Sequence, residues 1–166
     1  MCQIRSGLLH IKAISNVTVA AFLNAEHTSH TEQFIVSALR NSGALTISIV
    51  ADINNKIVGH VAASPVSISD GSKNWYGLGP ISVLPDFQNQ GIGSLLMQAA
   101  LDALKKFNAV GCVLLGDPNY YSRFGFKSDS RLVLPDVPPE YFQAISFTNK
   151  FPVGIVTYHE AFNAIG

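Results

Sequence analysis

Seven consecutive residues, Gln88-Asn89-Gln90-Gly91-Ile92-Gly93-Ser94, bring amides, a hydroxyl and two glycines together where a strand-like run hands over to a helix-like one. The start of a helix leaves about four backbone N–H groups without internal partners and carries roughly half a positive charge, so it suits an anionic ligand. Glycine at 91 and 93 lets a phosphate approach bare backbone. The Gln88 and Gln90 amides and the Ser94 hydroxyl add donors, each worth about 1 kcal/mol net. A P-loop needs G-x-x-x-x-G-K-[ST], and a dinucleotide fingerprint needs G-x-G-x-x-G within a parallel βαβ unit. Neither pattern occurs. The same residues also fit a plain helix start whose glycines serve packing.

The second informative segment is Gly116-Asp117-Pro118-Asn119-Tyr120-Tyr121-Ser122-Arg123-Phe124-Gly125-Phe126. Its phenols are potential proton donors, and they equally suit a core with satisfied hydroxyls. Tyr120 is assigned to that core, and Arg123 to a surface ion pair in preference to a phosphate contact. Other chemistries find little support. Gly-x-Ser-x-Gly is absent, and Cys112 sits inside the apolar run Val110 to Leu115, where a thiol is buried and unreactive. His159 and Glu160, adjacent in an expected strand, point to opposite faces and cannot chelate one ion.

The elements that must position these residues follow from spacing. Residues 13 to 26 and 30 to 42 carry apolar side chains at three and four spacing, with Gly43 as a stop, and predict two helices. Leu45 to Ala51, the turn Asp52-Ile53-Asn54-Asn55, and Lys56 to Ile68 predict a hairpin. A third strand runs from Trp75 to Val83 and ends before Pro85. Gly79-Pro80 lies inside it, where the missing proline N–H predicts a bulge or splitting of strands. Gly91 to Phe107 places Ile92, Leu95, Leu96, Ala99, Ala103, Leu104 and Phe107 on one stripe, closed by Lys105 and Lys106 at a helix C-terminus. A short buried strand at Ala109 to Leu115, a short helix or turn at Pro118 to Phe124, a strand at Gly154 to Tyr158 and proline-rich connections at Pro135 to Pro139 complete the reading. No repeat or linker is seen, so residues 1–166 are expected to form one domain.

Val-x-Pro-x-x-Gln-x-x-Gly-Ile-Gly, at Val83 to Gly93, resembles motif A of the GNAT acyltransferases, whose core is Q/R-x-x-G-x-G/A. The Tyr-x-x-x-Gly-Phe element at Tyr121 to Phe126 resembles the same family, and its longer G-D-P-x-x-Y-x-R-F-G-F form looks like a bacterial subgroup of N-acetyltransferases. The order of elements follows the family over nearly the whole chain. The resemblance implies an α/β (α+β) fold with a mixed, mostly antiparallel central sheet flanked by helices. It implies acetyl-CoA, or another acyl-CoA, as co-substrate, with loop amides from Gln88 to Ser94 on the pyrophosphate and the strand residues Ile81 and Val83 offering backbone groups to the pantetheine arm. Tyr121 aligns with the family's general acid. Where many relatives carry asparagine seven residues before this tyrosine, the chain has Leu114.

Amine attack on a thioester expels a thiolate, and a phenol with pKa near 10 protonating a thiol near 8.5 works uphill by roughly 2 kcal/mol. The amine must be neutral, which at pH 7 costs about 4.6 kcal/mol for a lysine-like amine and about 1 for an α-amino group. Some family members place Glu or His on the motif-A strand, but Asn74 to Val83 holds neither. His60 and Glu26, at the end of the first predicted helix, are the candidates for a base, each equally readable as structural. The acceptor is a primary amine of a small molecule or peptide, bordered by the first two helices and the loop Asp70 to Asn74. A second reading is an acyl-CoA sensor or protein-interaction module without turnover.

Eleven basic residues balance eleven acidic ones, so no net field draws in nucleic acid. With 48% hydrophobic and 13% charged residues the chain can bury a sizeable core. Cys2 and Cys112 show no disulfide or metal spacing. No signal peptide or membrane span is visible, so a cytoplasmic protein, monomer or homodimer, without metal, is expected.

Overall fold

The structure, a computed structural model, describes residues 1–26 and 28–166. Six strands lie side by side in the order β1 (Cys2–Ser6), β2 (Ile47–Ile53), β3 (Lys56–Ile68), β4 (Trp75–Val83), β5 (Gly111–Leu115) and β7 (Phe142–Ser146). The short β6 (Leu132–Val133) pairs with β8 (Gly154–Tyr158), which joins the far end of β3. Within the six, only β4 and β5 run parallel. Four helices flank this mixed, mostly antiparallel sheet: α1 (Ile11–Phe22), α2 (Glu32–Asn41), α3 (Ile92–Lys106) and α4 (Pro118–Tyr121). No helix among the described residues is long and apolar enough to cross a membrane.

β3 and β4 match their predicted bounds, and the β2–β3 hairpin is tighter than expected. Asp52 and Ile53 belong to β2, paired with Ile57 and Lys56. The turn is Asn54-Asn55 alone, at φ +51° and +65°. Asparagine tolerates the left-handed region, and two such residues give a turn whose twist matches the flanking strands. β1 was not expected. It is an edge strand that packs Cys2 and Ile4 on the core, while Arg5 reaches the buried Asp52 carboxylate at 2.8 Å. So short a run gives no periodicity of its own.

α1 ends at Phe22, not 26, because Leu23 to Glu26 are exposed and no buried stripe holds another turn on the sheet. Glu26 therefore lies in an exposed turn beyond the helix. α2 begins at Glu32, after His30 at φ +58°. α3 buries Ile92, Leu96, Met97, Ala100, Leu101 and Leu104, and the stripe is rotated from the expected one, leaving Leu95 and Phe107 exposed.

The two faces of the sheet differ. On one, α3 packs on Val61, Ala63, Leu78, Cys112 and Leu114. On the other, Ile14 of α1 and Val36 of α2 meet Val50. β4 and β5 pair only over Trp75 to Gly77 and Gly111 to Val113. Beyond that, β4 keeps β3 and β5 keeps β7 as neighbours, so an edge of β4 from Leu78 to Val83 is left unpaired by β5. The β3–β4 register also shifts between Val61 and Ala63, opposite the cis Gly79–Pro80 peptide. Proline has no N–H for the ladder, which is the irregularity its position predicted.

Candidate active site

A cleft of about 560 Å³ opens where β4 leaves β5. Its floor is the unpaired edge of β4 at Ile81, Ser82 and Val83. One wall is the turn before α3, with Gln88, Asn89, Gly91, Gly93 and Ser94, and the other is Tyr120, Tyr121 and Arg123. Seven of the nine residues expected to hold a cofactor thus line one space. Gln90 and Ile92 do not: Ile92 is buried in the core, and Gln90 turns away.

Gly91 is the N-cap of α3 at φ +82°, a conformation that costs any L side chain energy. No side chain caps the helix, so the first-turn N–H groups of Ile92, Gly93 and Ser94 have no internal partner, and the first closing bond is Leu95 N–H to the Gly91 carbonyl at 3.1 Å. This is an anion-binding geometry. The glutamines are structural. Gln88 Nε2 donates to the Val83 carbonyl at 3.0 Å and Gln90 Nε2 to the Asp86 carbonyl at 3.2 Å. Their amides tie the loop to the strand end and to the preceding turn, and Gln88 also lines the cleft.

Across the cleft, Asp117 accepts the Asn119 N–H at 2.9 Å and so starts α4. Tyr121 packs edge-on against Tyr120, with centroids 4.9 Å apart, and against Phe126. Burial, with Tyr120 and Asp117 beside it, pushes its phenol up to about 12. Tyr121 therefore stays protonated through the neutral range. Gln143, itself buried, donates to the Gly116 carbonyl at 3.0 Å and steadies the backbone beneath Tyr121. That partner lies 27 residues away and was not seen in the sequence.

Two expectations change. Tyr120 is not a core residue: it lines the cleft, and its hydroxyl comes within 3.1 Å of where a Cβ on Gly93 would stand. A side chain at residue 93 would press on the Tyr120 hydroxyl. Arg123 makes no ion pair among the described residues. Its guanidinium stacks 4.6 Å from the Tyr120 ring centre, leaving a cation at the cleft mouth. Ser82 and Phe87 also line the cleft without having been singled out, since neither type carries a motif signal.

Neither candidate base lies in the cleft. Glu26 is in the exposed turn after α1. His60 is fully buried on the α1–α2 face, with Nε2 2.9 Å from Ser48 Oγ, and burial, then Arg40, pull its pKa down to about 3. An imidazole that weak cannot take a proton from an ammonium group. Cys112 is buried in the α3 core with its thiol pushed up by desolvation. His159 leaves β8 and accepts the Ala161 N–H at 3.0 Å, capping a short turn. No group of three metal-ligating side chains converges among the described residues.

The model of the acetyltransferase (GNAT) family matches residues 11–126. An uncharacterized N-acetyltransferase of Escherichia coli, YhbS, is 35% identical over 153 residues, 87% of this chain and 91% of that protein. Among solved structures, a GNAT family acetyltransferase from Brucella melitensis in complex with acetyl-CoA shares 44% identity, covers 98% of both chains and superposes with a TM-score of 0.87. E. coli YhbS in complex with CoA shares 32%, covering 99% of this chain and 93% of that one, with a TM-score of 0.83.

Proposed function

Because the chain belongs to the acetyltransferase (GNAT) family, we propose that it transfers an acetyl group, or another acyl group, from acyl-CoA to a primary amine by direct attack in a ternary complex. The observation that carries this reading is the shared cleft: an uncapped helix start at Gly91 to Ser94 faces the same space as the Tyr121 phenol. The former fits a diphosphate, and the unpaired β4 edge at Ile81 and Val83 fits an amide-bearing arm running toward Gly79. The two similar proteins solved with acetyl-CoA and CoA support acyl-CoA as the co-substrate.

Each residue has a defined task. The N–H groups of Ile92, Gly93 and Ser94 hold the diphosphate, with Arg123 adding a cation at the mouth. Tyr121 holds the proton that the departing thiolate needs. With its pKa near 12 that transfer runs uphill by about 5 kcal/mol against a thiol of 8.5, more than an unperturbed phenol would require and still small beside a catalysed barrier. Among the described residues no carboxylate or imidazole lines the cleft to take the amine's proton. The amine therefore enters neutral, or sheds its proton to solvent, which favours acceptors of lower basicity.

The test is thiol release from acetyl-CoA across amines, amino acids and peptides, together with calorimetry of CoA binding. Release with any acceptor supports the transferase. CoA binding with no release under any acceptor favours the second reading, an acyl-CoA sensor, for which a cleft lined by no base among the described residues is the specific observation. No CoA binding overturns both.

A further inference from the structure

The face of β3 and β4 turned away from α3 carries an unusual set of buried polar atoms. His60 and Ser82 are cross-strand partners, and Ser64 pairs with Gly77 beyond the register shift. Their side chains leave the sheet opposite to α3: Gly59, next to His60, faces Leu96 and Ile92, while the Gly77 site faces the Tyr158 ring. Val50, the neighbour of His60 across β2, packs with Ile14 and Val36, so α1 and α2 roof this layer. Arg40, near the end of α2, is close enough for its charge to act on His60.

Four atoms in the layer, His60 Nδ1, Ser64 Oγ, Ser82 Oγ and Arg40 Nη2, are buried without a hydrogen-bond partner among the described residues. Native proteins hold few such groups, because each forfeits its hydration without replacement. Their concentration under two helices sets a polar layer beside the apolar contacts of Ile14, Val36 and Leu39 that seat those helices. Neither α1 nor α2 has a side-chain N-cap, and the turn after α1 is exposed. The layer also adjoins the cleft. Ser82 lines the cleft while its hydroxyl belongs to the layer, and the β3–β4 ladder is interrupted at Gly79-Pro80 between Ser64 and Ser82.

We propose that this covered layer is the acceptor side of the site: His60, Ser64 and Ser82 receive the amine end of a small acceptor, and Arg40 a carboxylate on the same molecule, once α1 and α2 lift to admit it. This rests on the transferase reading. His60, neutral and held by Ser48, acts here as a hydrogen-bonding and positioning residue, not as a base. The guanidinium is the one cation of the four and has no anionic partner among the described residues, which selects an amine bearing a carboxylate over a plain alkylamine.

The test follows thiol release from acetyl-CoA for pairs of primary amines matched in basicity, β-alanine against propylamine first. The carboxylate-bearing member is expected to have a kcat/KM at least about tenfold higher. Arg40→Gln should erase that preference and leave the Kd for CoA unchanged. Ser64→Ala should raise KM for the acceptor while its Tm equals or exceeds that of the unaltered protein, since an unpartnered hydroxyl has been removed. Equal use of the two amines by the unaltered protein, or a preference that survives Arg40→Gln, overturns the inference alone. CoA binding without thiol release from any amine overturns the transferase reading and this inference with it.

Discussion

Tyr121 rests on Gly116 so closely that a Cβ at residue 116 would stand 2.2 Å from a carbon of the tyrosine ring. No real Cβ contact is that short, so the phenol keeps its position only because residue 116 has no side chain. The Gln143 hydrogen bond to the Gly116 carbonyl holds this seat from the neighbouring strand. Gly116→Ala is expected to push the ring out of the cleft and lower kcat about ten- to a hundredfold, with CoA affinity nearly unchanged because the α3 loop is untouched. Steady-state kinetics beside calorimetry will show it, and an unaltered kcat would mean the ring's seat does not matter.

Tyr121→Phe isolates the hydroxyl. Chemistry should slow by about 10²-fold with an unchanged Kd for CoA, the span typical of a lost general acid. The acid form is the one required, and a pKa near 12 keeps it populated, so Tyr121 contributes no falling limb to the rate profile below pH 10. A limb between pH 7 and 9 that vanishes in Tyr121→Phe would contradict this. The raised pKa also means that its contribution to stability is complete below pH 10 and declines as pH rises toward 12.

At Gly91 the backbone is left-handed, the helix start has no side-chain cap, and Gly91, Gly93 and Ser94 line the cleft. Gly91→Glu combines backbone strain with a carboxylate at the anion site. A loss of about 2 kcal/mol, or about thirtyfold in Kd for CoA, is expected from a starting value in the micromolar range. Equal calorimetric affinity in the variant would remove the loop from the binding site.

His60 predicts an acid-sensitive fold. Its pKa lies near 3 in the folded chain against 6.5 unfolded, so the unfolded state takes up a proton first as pH falls. Stability present above pH 6.5 should decline by about 1.4 kcal/mol for each pH unit between 6.5 and 3 on this account. His60→Gln should flatten that slope in urea midpoints measured across the window. A slope identical to that of the unaltered protein would mean that His60 does not stay neutral.

The glycine-and-glutamine loop, its strand and its helix were legible from the sequence because they are contiguous: backbone chemistry at Gly91 needs only its immediate neighbours. The same holds for β3 and β4, whose β-branched runs end at turn residues. Edge strand β1 was not legible, since five residues borrow their order from β2. Nor was the rotation of the α3 stripe, which depends on which side of the helix the sheet covers.

Side-chain partners chosen across the fold were decided only in three dimensions. Gln88 and Gln90 have the donors of ligand contacts, yet bond to backbone carbonyls nearby. Tyr120 looks like core until α4 brings its hydroxyl beside Gly93, and Arg123 like half of an ion pair until it stacks on the Tyr120 ring. His60 has the chemistry of a base until the roof of α1 and α2 strips its water away. Residue types and spacing determined the family, and they marked the glycine loop and Tyr121 as the segments that meet in one cleft. Burial and the company each polar group keeps are set by packing between distant segments, and those decided which groups keep the reactivity their types suggest.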